Sequence, residues 1–264
     1  MLAAFLATVA WAAPAAVSWP TRPGDDSIVD RIAPPPGTAR VAAEGYSAWL
    51  GMLPLLPAGS PVLAWDGSVV RPGDSADILA VVDLDVGTRD LQQCADSILR
   101  LRAEHLWSVG EKAAIAFHFT SGDLLRYTDW ASGVRDRVSG SSVQFARTAA
   151  PDASYANFRR YEDELFMYAG TRSLAREGVV ATGPVEAGDF VVQAGSPGHA
   201  LLVLDVAAAG DRRWVLIGEG YMPAQSFHIL RGPDDGWYPV TADGLTVPTW
   251  PDAFDWSARR RFPG

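Results

Sequence analysis

The 264-residue sequence contains a single cysteine, Cys94, so an internal disulfide is excluded. Basic residues are also scarce, because 22 Lys and Arg stand against 31 Asp and Glu, which gives a formal net charge of -9. This acidic balance argues against nucleic acid and against an anionic membrane surface as partners. Glycine-rich nucleotide motifs and the Cys/His spacing of zinc sites are missing too, so the sequence predicts no bound cofactor and no metal.

Long apolar runs are missing after the N-terminus, where no stretch approaches the roughly 18 apolar residues of a membrane-spanning helix. Residues 1–16 form a shorter apolar run that ends in small residues, with Ala10-Trp11-Ala12 as a candidate cleavage site. This pattern predicts a signal peptide over residues 1–16 and a secreted or periplasmic protein. No Lys or Arg precedes the run, and an ordinary N-terminal tail is the alternative.

Residues 17–40 are rich in proline, glycine and aspartate, and they include the run Pro34-Pro35-Pro36-Gly37. Such a composition predicts an exposed linker that lies on the surface of the protein. The remaining residues, 41–264, are numerous enough to bury one large core, and we expect them to form a single domain.

Periodic patterns in this domain predict helices followed by strands. The first strong helical pattern covers residues 90–107, with Asp90 as N-cap and Gln93 as its capping-box partner. Apolar runs at 189–193, 199–206 and 213–218 predict three strands in quick succession. Helices before a meander of strands predict an α+β domain with an antiparallel sheet.

Cys94 and His199 are the candidate nucleophile and base. Cys94 falls in the first turn of the predicted helix, where free N–H groups and the helix dipole favour a thiolate and lower the thiol pKa. His199 follows a Pro-Gly turn at the head of an apolar strand. A cysteine on a helix N-terminus and a histidine on a neighbouring strand form the pair that papain-like hydrolases use.

Residue pairing across the predicted β-hairpin adds a third candidate, Glu219. If a three-residue turn at 208–210 pairs Ala207 with Asp211, then His199 pairs with Glu219 on the next strand. The Glu219 carboxylate would then lie on the same sheet face as His199 and orient its ring. Asp205 lies roughly 20 Å along the same strand, at about 3.3 Å per residue, and is a poor orienter.

Other polar side chains complete the candidate site. The oxyanion hole would combine the backbone N–H of Cys94 with the side-chain amide of Gln92 or Gln93. The candidate binding residues follow the predicted hairpin, and two of them, Gln225 and His228, are alternative orienters of the imidazole. These binding residues are Tyr221, Gln225 and His228.

Two family resemblances rest on these motifs. The histidine half of the NlpC/P60 cysteine peptidases resembles the stretch from Gly188-Asp189 through a short strand and a glycine-rich turn to Gly198-His199. That family has an Asp-Cys pair before its helix, whereas this chain has Gln93-Cys94. Phrases spread over nearly the whole chain resemble a bacterial family catalogued as domain of unknown function 4846. These phrases are Asp90–Asp96, Arg100–Glu104, Tyr168–Thr171, Gly195–His199 and Tyr221–Gln225.

The NlpC/P60 resemblance implies a papain-like fold, with the cysteine-bearing helix packed on an antiparallel sheet. It also implies an exported cysteine hydrolase that cleaves an amide in a peptide or peptidoglycan-like substrate of the cell wall. The alternative is a non-catalytic extracytoplasmic binding module of the same fold that recognises glycan or protein. An inert, buried Cys94 would favour the module, because free cysteine is among the most buried residue types.

Overall fold

The computed structural model describes residues 15–22 and 26–263, so the predicted signal peptide lies almost wholly outside the described residues. In the described part of the chain, no helix has the length and apolar character needed to cross a lipid bilayer. The helices are α1 (Ile28–Arg31), α2 (Gly45–Gly51), α3 (Cys94–Ser108), α4 (Tyr127–Ala131), α5 (Tyr155–Tyr168) and α6 (Thr171–Glu177).

The strands alternate with these helices and then follow them in a C-terminal run. They are β1 (Ala39–Arg40), β2 (Val62–Leu63), β3 (Val69–Arg71), β4 (Ile78–Val81), β5 (Ala116–His118), β6 (Leu124–Arg126), β7 (Val134–Ser139), β8 (Ser142–Arg147), β9 (Val179–Val180), β10 (Asp189–Gln193), β11 (His199–Ala209), β12 (Arg212–Glu219), β13 (His228–Leu230), β14 (Tyr238–Pro239) and β15 (Arg260–Arg261).

Nine of the strands form one large antiparallel sheet, which confirms the predicted α+β class. Its main path runs β4-β13-β12-β11-β10-β15-β9, while β1 pairs with β11 and β14 pairs with β12. The predicted strand over 199–206 begins at its expected residue but continues to Ala209, and the predicted helix over 90–107 begins at Cys94.

The two faces of this sheet are covered by different parts of the chain. On one face, Ala200 and Leu202 of β11 belong to the core that includes Ile98 and Leu101 of α3. On the other face, Leu201 lies in a second apolar cluster with residues such as Phe254 from the stretch 245–256, which we call the C-terminal segment. Both sets are apolar, so β11 is buried on both sides.

The β11–β12 hairpin differs from the predicted register. Gly210 and Asp211 form a two-residue turn, and Gly210 has a φ of 60°, a left-handed conformation that favours glycine. As a result Ala207 pairs with Trp214 rather than with Asp211. A bulge between Val203 and Asp205 then shifts the register by one residue toward the start of β11.

The segment predicted as an exposed linker contributes to the fold. Trp19 is 4% exposed and Ile28 is fully buried, and both belong to the core on the α3 side of the sheet. Ala39 and Arg40 pair with β11 as strand β1. Although residues 17–40 are rich in proline, the large apolar side chains of this segment are buried against the domain.

Candidate functional site

Cys94 is the first residue of α3 and lines a cleft of about 770 Å³. Gln93, not Asp90, is the N-cap, and its backbone N–H donates to the Asp96 carboxylate over 3.1 Å. Asp90 lies in the preceding turn, where its carboxylate accepts a hydrogen bond from the Ala224 N–H at 2.7 Å. The predicted capping box is therefore wrong by three residues, since the chain before Gln93 is not yet helical.

Three segments of the chain enclose most of the cleft, and Met222, in the loop after β12, adds a fourth contribution. One is the start of α3 with the turn before it, the second is the junction of α5 and α6, and the third is the loop between β10 and β11. The lining residues are Asp90, Leu91, Gln93–Asp96, Phe166–Thr171, Gly195–Gly198 and Met222. The walls combine apolar side chains with a small number of polar groups, which is typical of ligand sites.

The Cys94 thiol is poorly suited to form a thiolate. The residue is 6% exposed, and burial raises the pKa of the thiol to about 12, assisted by the nearby Asp96 carboxylate. The backbone N–H groups of Ala95 and Ala200 oppose this rise without cancelling it. The lowered pKa predicted from the helix terminus is therefore wrong in direction, because desolvation outweighs the favourable N–H groups.

His199 lies on the sheet face opposite to α3. Side chains alternate along a strand, and Ala200 faces the helix, so the preceding imidazole points to the other side. There it stacks on Trp250 with ring centroids 5.2 Å apart and meets Tyr221 at 5.0 Å. No hydrogen bond joins Cys94 to His199 among the described residues, and the nearest backbone donor from β11 to the thiol is the N–H of Ala200.

The imidazole instead contacts Glu219. His199 Nε2 lies 2.8 Å from one carboxylate oxygen, which also accepts a hydrogen bond from the Thr249 hydroxyl at 2.9 Å. The other oxygen lies 3.3 Å from His228 Nε2. Burial raises the pKa of Glu219, but the hydrogen bond to His199 and the close His228 imidazole outweigh it and hold the pKa at about 2.

The contact between His199 and Glu219 is diagonal rather than directly across the strands. Leu202 pairs with Gly218, so the β12 position opposite His199 lies two residues beyond Glu219. Without the bulge before Asp205, the same hairpin would have placed Glu219 on the face of Leu202 and α3. Asp205 binds Arg40 at 2.6 Å and takes no part in this cluster.

The remaining predicted residues divide between the two faces. Gln93 lines the cleft, and its side-chain amide donates to Asp90 over 3.1 Å. Gln92 is 1% exposed and accepts a hydrogen bond from Arg100, so it lies under the helix and away from the cleft. The buried Gln225 side-chain oxygen has no hydrogen-bond partner among the described residues.

Tyr221 and His228 complete the cluster around Glu219. The Tyr221 hydroxyl donates to the Thr249 carbonyl at 3.1 Å, and His228 Nδ1 lies 2.9 Å from the Ser226 carbonyl.

Over residues 15–22 and 26–263, no three His, Cys, Asp or Glu side chains are arranged to hold a metal ion. Sequence reasoning missed Thr249, because no local pattern links that residue to Glu219.

Asp96 is the cleft residue that sequence reasoning overlooked. It is 5% exposed, and burial raises the pKa of its carboxyl to about 7. One carboxylate oxygen caps Gln93, whereas the other has no hydrogen-bond partner among the described residues. Asp96 stands three residues after the observed N-cap, a place that acidic residues favour in a helix, but the predicted N-cap Asp90 put Gln93 there instead.

Comparison with known proteins identifies the family. A family model described as domain of unknown function (4846) matches residues 28–260, and the chain belongs to this family. No curated protein matches the chain, and no solved structure matches it.

Proposed function

We propose that this member of the domain of unknown function 4846 family is a non-catalytic binding protein whose ligand occupies the cleft at the start of α3. One observation carries the proposal. The cleft offers apolar walls and polar groups, but its thiol is buried with a raised pKa and the nearest candidate base points to the opposite sheet face. A volume of about 770 Å³ is in the range of small-molecule and peptide sites.

Filling the cleft tests this proposal. Met222 lines it and is 46% exposed, so a Met222→Trp substitution can narrow the opening without disturbing the core. Met52 is 42% exposed and does not line the cleft, and Met52→Trp is the matched control. Peptide and glycan fragments, including peptidoglycan fragments, would be screened by ligand-observed NMR. We expect Met222→Trp alone to abolish the signals, and equal signals from both variants would overturn the proposal.

A papain-like cysteine hydrolase that acts on cell-wall peptide is the second candidate function. It is favoured by the position of Cys94, which is the first residue of α3, lines the cleft and lies beside the N–H of Ala200. The mechanism would require the His199 imidazole to leave Glu219 and turn to the α3 side of the sheet. Cleavage of a peptidoglycan fragment by the wild type but not by Cys94→Ala would establish this function instead.

Both functions are proposed for an extracytoplasmic protein. The support is the apolar run and small residues of positions 1–16, which suit a signal peptide. A peptide or glycan ligand of the cell envelope fits this location.

A further inference from the structure

We propose, building on the binding function above, that the cleft selects ligands that carry a positively charged amine on an apolar body. The carboxylates of Asp90 and Asp96 lie at the α3 end of the cleft, whereas apolar side chains such as Met167 and Met222 line the rest. No Lys, Arg or His belongs to the lining among the residues that the structure describes. A cationic group therefore finds complementary charge at one end and an apolar wall beside it.

Asp96 supplies the specific polar contact. Its carboxylate is held in place because one oxygen accepts the Gln93 N–H at the helix terminus. The other oxygen is buried and has no hydrogen-bond donor in the described structure. A buried carboxylate oxygen without a partner is costly, and an ammonium group that reaches it would provide both a hydrogen bond and a compensating charge.

In the described part of the chain, no Lys, Arg or His side chain is bonded to the carboxylate of Asp90 or Asp96. Asp90 accepts hydrogen bonds from the Ala224 N–H and the Gln93 amide, both of which are neutral donors. Arg89 is next to Asp90 in the chain, and its guanidinium lies 3.0 Å from the Asp163 carboxylate and 3.8 Å from Sδ of Met167 at the cleft wall. The nearest cation in the sequence is thus already paired with another acid.

The apolar wall is suited to ligands of variable shape. Met167 and Met222 are 39% and 46% exposed, and methionine side chains adapt to irregular surfaces because they are unbranched and polarisable. Phe166 and Tyr168 extend the same lining. A ligand body such as an aromatic ring or an alkyl chain can therefore lie along this wall while the amine reaches Asp96.

Three probes with one body and different head groups test the proposal. They are 4-phenylbutylamine, 4-phenylbutanol and 4-phenylbutyrate, each titrated calorimetrically into the full chain at pH 8 and low salt. We expect the amine to bind about tenfold more tightly than the alcohol and the acid to bind more weakly than both. Asp96→Asn should reduce amine affinity to that of the alcohol, since asparagine keeps the cap but loses the charge.

Control variants separate the possible outcomes. Asp252→Asn removes an exposed charge that does not line the cleft and should leave all three affinities unchanged. If Asp96→Asn does not fold, Asp90→Asn should still lower amine affinity several-fold without affecting the alcohol. Equal binding of amine and alcohol would overturn charge selection while the binding function stands. Unchanged binding of all probes to Met222→Trp would instead place them outside the cleft and overturn both proposals.

Discussion

His199 Nε2 lies 2.8 Å from a carboxylate oxygen of Glu219, on the face of the sheet that α3 does not cover. This pair is almost fully buried, with His199 at 1% and Glu219 at 0% exposure. The C-terminal segment covers it through Thr249 and Trp250. This contact gives the imidazole a hydrogen-bonding partner other than the Cys94 thiol, and it ties the C-terminal segment to the centre of the sheet.

Glu219→Gln should destabilise the protein at neutral pH by about 1–3 kcal/mol, because a charged acceptor of two hydrogen bonds is replaced by a neutral amide. The pKa of Glu219 is lowered in the folded state to about 2, from an ordinary value of 4.5. Its contribution is therefore present above pH 4.5 and is lost as the pH falls toward 2. Urea unfolding of both proteins should show a difference at pH 7 that shrinks near pH 2.5. An equal difference at both pH values would contradict the prediction.

Cys94 should resist alkylation in the folded protein. Since burial raises its thiol pKa to about 12, iodoacetamide at pH 8 should label the native protein at least about tenfold more slowly than the urea-unfolded chain. His199→Ala should not slow labelling, because the imidazole points to the other sheet face. Rapid labelling below pH 8 that depends on His199 would refute this expectation and favour the hydrolase.

Asp96 should make the folded protein less stable as the pH rises. Its pKa is about 7 when folded and near 3.8 when unfolded, so the folded state binds more protons between these values. The stabilisation is present below pH 3.8 and is lost as the pH rises to about 7. The Tm difference between Asp96→Asn and the wild type should accordingly grow in favour of the variant from pH 4 to pH 8. A constant difference would count against a buried, ionising Asp96.

Gly220 should not tolerate a side chain. A Cβ there would lie 2.3 Å from the Ser97 hydroxyl oxygen and 3.1 Å from the Gln93 carbonyl oxygen, which would push the start of α3 away from the sheet. We expect Gly220→Ala to cost about 1–3 kcal/mol in the free energy of unfolding. Gly170→Ala is the control, since a Cβ at Gly170 has its nearest neighbour at 3.9 Å. Similar stabilities of the two variants would show that α3 is not packed so closely.

Export predicts a defined N-terminus. The mature chain recovered from its native host should begin shortly after Ala12 or Ala16, because the small residues there suit signal peptidase. N-terminal sequencing of the purified protein measures this directly. An intact Met1 would rule out cleavage and remove the support for an extracytoplasmic location.

Local patterns in the sequence were sufficient to predict the main helices and strands of the fold. The strand at 189–193 and the first residue of β11 follow from apolar periodicity, because these segments bury one or both faces, whereas α3 begins later than predicted. Alternation along strands also suggested that His199 and Glu219 share a face. The structure reaches that arrangement by another route, since the two-residue turn shifts the register and the bulge before Asp205 compensates.

The α+β class, the family and the places of Cys94 and His199 near the starts of their elements follow from local patterns of residues. The amino-acid sequence left open the face of the sheet to which His199 points, and the structure places its ring against Trp250 and Phe254. Strand alternation separates odd from even residues, but it does not say which set meets a helix. Tertiary packing decides which set meets the helix. Ala200 and Leu202 pack into the core under α3. On the other face, Thr249 hydrogen-bonds to the buried Glu219 carboxylate and Trp250 stacks on His199.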